Sequence, residues 1–187
     1  MANPAMPDPN FHRTVVLVLA HTDDGALGVV LNRPSELDVD SPLPRWERLV
    51  ADPPVVFVGG PVAPGAAICL ARVPDPPSLG DEIADGIDPA GLGGWLPLVG
   101  ELGTLDLERD PNDLAIKVEA IRVFAGYAGW GPGQLESELE ADAWFVVTAR
   151  ASDALVGDPE QLWKRVLRRQ GGSLALISAY PLDPSLN

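Results

Sequence analysis

The sequence predicts an α+β domain, and three observations carry that expectation. Short runs rich in β-branched residues recur along the chain, each bounded by glycine, proline or acidic turn residues. Three or four helical stretches fall among them in no regular βαβ rhythm. The 187 residues are 46% hydrophobic and 21% charged, enough for one buried core. No apolar run reaches the ~18 residues that a membrane span needs.

The first dozen residues hold three prolines without periodicity and are read as coil. Residues 13–34, RTVVLVLAHTDDGALGVVLNRP, are the segment around which the domain is built. Two apolar runs, 14–21 and 25–32, are joined by Thr22-Asp23-Asp24 and predict a β-hairpin. Both runs are so continuously apolar that the hairpin is expected in the middle of a covered sheet. Residues 35–41 are polar and acidic. Leu43, Trp46, Leu49 and Val50 then lie at helical spacing, with Asp40 or Ser41 as cap.

Val55–Val58 reads as a strand, Gly59-Gly60-Pro61 as a turn and 66–73 as a further strand. The proline- and aspartate-rich stretch 74–94 reads as a long surface loop. Trp95–Val99 and 102–107 are expected as short strands around Gly100-Glu101. Asp110-Pro111 is expected to open a helix over 112–120. A strong strand, 121–127, leads through glycine-rich residues to a helix over 134–142. There Leu135 and Leu139 face inward, and Glu136, Glu138 and Glu140 are solvated. A strand over 144–149 and a helix over 160–170 come next. The helix is apolar at Leu162, Trp163, Val166 and Leu167 and cationic at Lys164, Arg165, Arg168 and Arg169. Residues 174–179 fit either a strand or a helical turn.

Thirteen basic residues against 27 acidic give a net charge of −14. Such a surface repels nucleic acid and anionic membranes, so direct binding to either is not expected. The N-terminal residues have neither a basic nor an apolar signal region, which points to the cytosol. The single cysteine, Cys69, sits in an apolar run and reads as a buried, inert thiol.

Most catalytic constellations are missing from the sequence. The two histidines, His12 and His21, belong to no metal-ligand spacing. Gly59-Gly60-Pro61 lacks the lysine and Ser/Thr of a phosphate loop, and Gly131-Pro132-Gly133 lacks the dinucleotide pattern, so no cofactor and no metal are expected. His21, beside Asp23 and Asp24, is either structurally satisfied or a general base oriented by one of them. Arg33 is either a carboxylate or phosphate ligand, with Asn32 beside it, or a surface arginine next to a turn-forming asparagine. Tyr127 and Trp130, set among glycines, are either pocket wall or core anchors. The candidate ligand site therefore comprises His21, Asn32, Arg33, Gly59, Gly60, Tyr127 and Trp130, for a small molecule or a protein partner.

Several segments, taken in order, resemble the YqgE/AlgH family of bacterial proteins. They are Asp8-Pro9-Asn10-Phe11 leading to Arg13-Thr14-Val15-Val16, His21 with Gly25-Ala26-Leu27-Gly28, and Asn32-Arg33-Pro34. Gly59-Gly60-Pro61, the run GYAGWGPGQLESEL at 126–139, and Trp144 complete the pattern. The resemblance implies one domain over 1–187 with a strongly bent, barrel-like mixed or antiparallel sheet and flanking helices. It brings no established reaction. Some members carry the label of transcriptional regulator, yet nothing here resembles a helix-turn-helix. Family members usually carry a further apolar strand ahead of the segment matching Ala2-Asn3-Pro4, so an unpaired sheet edge is expected. The 74–94 loop has no place on the family pattern. These expectations favour a non-enzymatic regulatory or binding protein, with a His21-based hydrolase or transferase as the rival.

Overall fold

A computed structural model describes residues 1–76, 94–114 and 116–180. The hairpin forms as its sequence dictates: β1 (Val16–Thr22) pairs antiparallel with β2 (Gly25–Val30). Its position differs from expectation. β1 is the edge strand of the main sheet, with β2 its one strand partner. Val18, in β1, is 45% exposed. An apolar strand buries itself only where another element reaches it, and among the described residues no second strand pairs along this edge.

Residues Pro34–Asp38 form a strand, β3, where only a polar segment was expected; it pairs antiparallel with β4 (Val55–Val58). Between them Pro44–Leu49 winds as a 3-10 helix that buries Trp46. β5 (Val62–Arg72) pairs with β7 (Leu102–Leu105), which pairs with β6 (Trp95–Val99). The 77–93 part of the long acidic loop lies outside the described residues.

The strand at the centre is β8 (Ala120–Trp130), longer than its apolar core suggested. Its first half pairs antiparallel with β5, its last residues with β2, and Phe124–Ala125 runs parallel to Phe57–Val58 of β4. Gly126 stands between these partners at φ 70°. A Cβ there would lie 2.6 Å from the Gly60 carbonyl oxygen. Only glycine permits this left-handed bend with backbone so close. The sheet order β1-β2-β8-β5-β7-β6 thus folds about β8 into the bent, barrel-like form.

Helices α1 (Gln134–Glu140), α2 (Ala151–Ala154), α3 (Leu162–Gln170) and α4 (Gly172–Ile177) complete the fold. α3 buries Leu162, Trp163, Val166 and Leu167 in the main core with Leu31, Phe57, Leu70 and Phe124. The ambiguous 174–179 segment resolves as helix. Two expected elements do not form. Among the described residues 112–120 hold no helix, because the Asp110 side chain accepts the Asn112 N–H and makes a turn. Leu114, Ile116 and Val118, alternating as in extended chain, then pack on the second core around Trp46 and Trp95. Residues 144–149 are not a strand of the sheet either: Trp144 bridges Ala2, and the ladder stops there.

Candidate functional site

The turn leaving β2 brings Asn32 and Arg33 to the side of the domain where α3 begins. Asn32 is buried and works as a clamp. Its Oδ1 accepts the Val15 N–H at 2.8 Å and its Nδ2 donates to the Arg13 carbonyl at 2.9 Å. Arg13 has φ 53°, a strained angle for a long side chain, and this amide bond holds it there. The Arg13 guanidinium lies over the Trp163 ring at 5.0 Å and donates to the Tyr180 carbonyl.

Arg33 donates one hydrogen bond, to the His12 carbonyl. Partial burial moves its pKa below the usual guanidinium range. It faces a cleft of about 440 Å3 shared with His12, Asn32 and Pro34 on one side and with Glu160, Gln161 and Lys164 on the other. Among the described residues no carboxylate lies within ion-pair distance of Arg33 or Lys164. The cleft thus offers a planar donor fork and an ammonium, with the Glu160 carboxylate as the opposing charge.

The other candidate residues lie elsewhere. His21, at the far end of β1, pairs through Nε2 with Glu136 Oε1 of α1 at 2.5 Å, both side chains half exposed. Glu136, rather than Asp23 or Asp24, is therefore its carboxylate neighbour. Hydrogen bonds from its own backbone N–H and from His21 hold the Glu136 pKa below its ordinary value.

Gly59 and Gly60 press the end of β4 against β8. A Cβ on Gly59 would lie 2.2 Å from the Gly126 oxygen, and one on Gly60, at φ 154°, 2.2 Å from the Tyr127 carbonyl carbon. Tyr127 packs half-buried on the main core. Tyr127 and Trp130 are strand residues of β8 and not part of a glycine-rich turn. Trp130 is buried and stacks on Phe11. The seven candidates are therefore not gathered in one cavity: Asn32 and Arg33 share the cleft, and Trp130 lines a separate groove.

Sequence reasoning missed His12, Gln161 and Lys164 as neighbours of Arg33. Lys164 reads as part of a solvated cationic face, and only the docking of α3 turns it toward the β2 turn. Glu138 was also misread. Its Oε2 accepts both the Trp130 and the Trp144 indole N–H, at 2.9 and 2.7 Å, while Oε1 accepts Gln134 Nε2 at 2.8 Å. This carboxylate ties three donors of α1, β8 and the chain beyond α1 together. Cys69 is buried as expected, and burial pushes its thiol pKa far up.

Comparison with known proteins places the chain. A family profile described as AlgH-like matches residues 1–175. A UPF0301 protein of Streptomyces coelicolor is 51% identical over all 187 residues, which span 92% of that relative. A UPF0301 protein of Mycobacterium tuberculosis is 46% identical over the same residues, 88% of its length. Among solved structures, a Corynebacterium diphtheriae protein superposes with a TM-score of 0.83 at 31% identity, covering 96% of this chain and 89% of that one. The solution structure of AlgH from Pseudomonas aeruginosa gives a TM-score of 0.63 at 29% identity, covering 97% and 91%. The chain belongs to the AlgH-like family.

Proposed function

We propose that the protein is a non-enzymatic, regulatory binding protein of the cytosol whose ligand presents a carboxylate or phosphate to the Arg33 cleft. One observation carries this reading. In a chain of net charge −14, Arg33 and Lys164 face one cleft with no ion-pair partner among the described residues. An arginine fork matches the paired oxygens of a carboxylate or phosphate and fixes their orientation. One further cation of the helix that carries Lys164 is withdrawn from any nucleic-acid face. Arg169 there is engaged bidentately by Asp153, at 2.6 Å to each oxygen.

Native mass spectrometry of the protein purified gently from its own cytosol tests this. A reproducible adduct is expected in the wild type and lost in Arg33→Ala, with a fall in melting temperature of no more than about 4 °C, the scale of losing one partly buried hydrogen bond. A bare mass in both proteins, or equal loss of adduct and melting temperature, would overturn it.

The exposed His21–Glu136 pair favours one rival, a general base held by a carboxylate. That reading requires a turnover that His21→Gln abolishes while the fold stays intact.

A further inference from the structure

The charges that line the Arg33 cleft are of both signs. Arg33 reaches it from the turn after β2, and Glu160, Gln161 and Lys164 from the chain that enters α3. Glu160 and Lys164 stand four residues apart, a spacing at which opposite charges on a helix can meet. They do not meet here, because Glu160 lies ahead of Leu162, the first helical residue. Among the described residues Glu160 forms no ion pair with Lys164, with Arg33 or with any other cation. The Gln161 side chain likewise makes no hydrogen bond there. Arg13 borders the cleft too, but its guanidinium is already held by the Trp163 ring and the Tyr180 carbonyl.

Opposite charges that face one cavity without neutralising each other constrain what fills it. A simple anion satisfies Arg33 and Lys164 but brings a further negative charge up to Glu160, which repels it. An ammonium at the other end of the ligand turns that repulsion into attraction. Two cations against one carboxylate leave one positive charge in surplus, so the matching ligand carries two negative charges and one positive. A phosphate monoester supplies the negative pair, since its second pKa of about 6 leaves it a dianion near neutral pH. Its oxygens suit both donors, the planar fork of Arg33 and the point charge of Lys164. An amino acid with a single carboxylate leaves one of the two cations unmatched. At about 440 Å3 the cleft has room for a body that links the two ends.

We propose that the ligand is an aminoalkyl phosphate, which rests on the reading of the cleft as an anion site. Arg33 and Lys164 hold the phosphate monoester, and Glu160, with the Gln161 amide oxygen, receives the ammonium. Arg33 then supplies affinity and Glu160 specificity. The same group, esterified a second time, is a lipid headgroup, but the second ester removes one of the two negative charges that the cleft matches.

Calorimetric titration near neutral pH tests this with two series of matched chain length. One is the aminoalkyl phosphates from O-phosphoethanolamine upward, and the other is the alkyl phosphates that lack the amine. At least one aminoalkyl phosphate should bind the wild type about fivefold or more tighter than its alkyl counterpart. Glu160→Gln should erase that difference, weakening the aminoalkyl phosphate and strengthening the alkyl phosphate. Arg33→Ala should weaken both series together.

Equal affinity of the two series for the wild type, or a preference for the amine that survives Glu160→Gln, would overturn the proposal and leave an anion site at Arg33 standing. Affinities untouched by Arg33→Ala would overturn the anion site as well. No binding of either series would overturn the aminoalkyl phosphate, and the native adduct would then decide the anion site alone. Tighter binding of an aminoalkyl carboxylate of the same length would overturn the dianion. Equal binding of glycerophosphoethanolamine would overturn the free monoester in favour of a lipid headgroup.

Discussion

Arg122 shows how a single residue can join three parts of the chain. It is 1% exposed and sits on β8, with its guanidinium 4.3 Å from the centre of the Phe57 ring. Nη1 donates to the Ala154 and Val156 carbonyls and Nη2 to those of Ala51 and Asp52. Four backbone acceptors that would otherwise be orphaned near the core are thereby satisfied. Burial pushes the Arg122 pKa down to about 10, opposed by the charge of Asp52. Because the folded pKa lies below the unfolded one, the desolvation cost is fully present at neutral pH and is relieved only as pH rises through about 10. The residue persists because the carbonyl bonds and ring contact outweigh that cost. Arg122→Met removes the charge but strands the carbonyls, so a net loss of about 3 kcal/mol is expected. Thermal denaturation should show a fall of roughly 6–12 °C. A neutral or stabilising result would mean that desolvation dominates.

Among the elements, α1 depends on Glu138 more than on its own length. Seven residues form a marginal helix, and Leu135 is its one buried side chain. The carboxylate of Glu138 supplies the rest by accepting the Trp130 and Trp144 indoles, whose rings meet edge to face at 5.8 Å. Glu138→Leu should cost about 2 kcal/mol by leaving the indole donors of two buried tryptophans unpaired. Urea denaturation would measure the loss, and the two indole N–H resonances should move toward solvent values. No change in either would show that the aromatic packing holds α1 unaided.

The sequence could not show this role, since a glutamate at helical spacing on a polar face reads as solvated until its tertiary neighbours are known. The hairpin, α3, β4 and β6 were legible because each rests on a local pattern, period two or period 3.6, with turn residues at its ends. The error at 112–120 was local as well: Asp110-Pro111 can begin a helix or close a side-chain turn, and Leu114, Ile116 and Val118 decide for extended chain. The edge position of β1 was not legible in its apolar content, which predicts burial without saying what covers the strand; only the family resemblance pointed to an unpaired edge. Asn32 and Arg33 stand out in the sequence as a pair; that Asn32 clamps the Arg13–Val15 backbone depends on that neighbouring chain, and that Arg33 faces a cleft depends on the docking of α3.

At the scale of the whole molecule, charge sets two opposite responses to salt. Of the ion pairs among the described residues, Arg169–Asp153 is the most buried; His21–Glu136, Arg45–Asp110, Arg72–Glu119 and Arg109–Asp106 are more exposed and contribute little. Repulsion within a surface of net charge −14 therefore outweighs the attractions that salt can weaken. Raising sodium chloride from 10 mM to 0.1 M shortens the screening length from about 30 to about 10 Å, so the melting temperature should rise by about 3 °C. A fall would show that the ion pairs carry more stability than the repulsion removes. Binding of a small anion at Arg33 and Lys164 should respond differently. Those cations sit close to the ligand and lose attraction with salt, while the distant acidic surface, which repels the ligand, is screened first. Affinity should therefore change little up to 0.1 M and decline above it. An affinity that falls steeply from the lowest salt would instead indicate a polyanion spread over several cations, contrary to a ligand confined to one cleft.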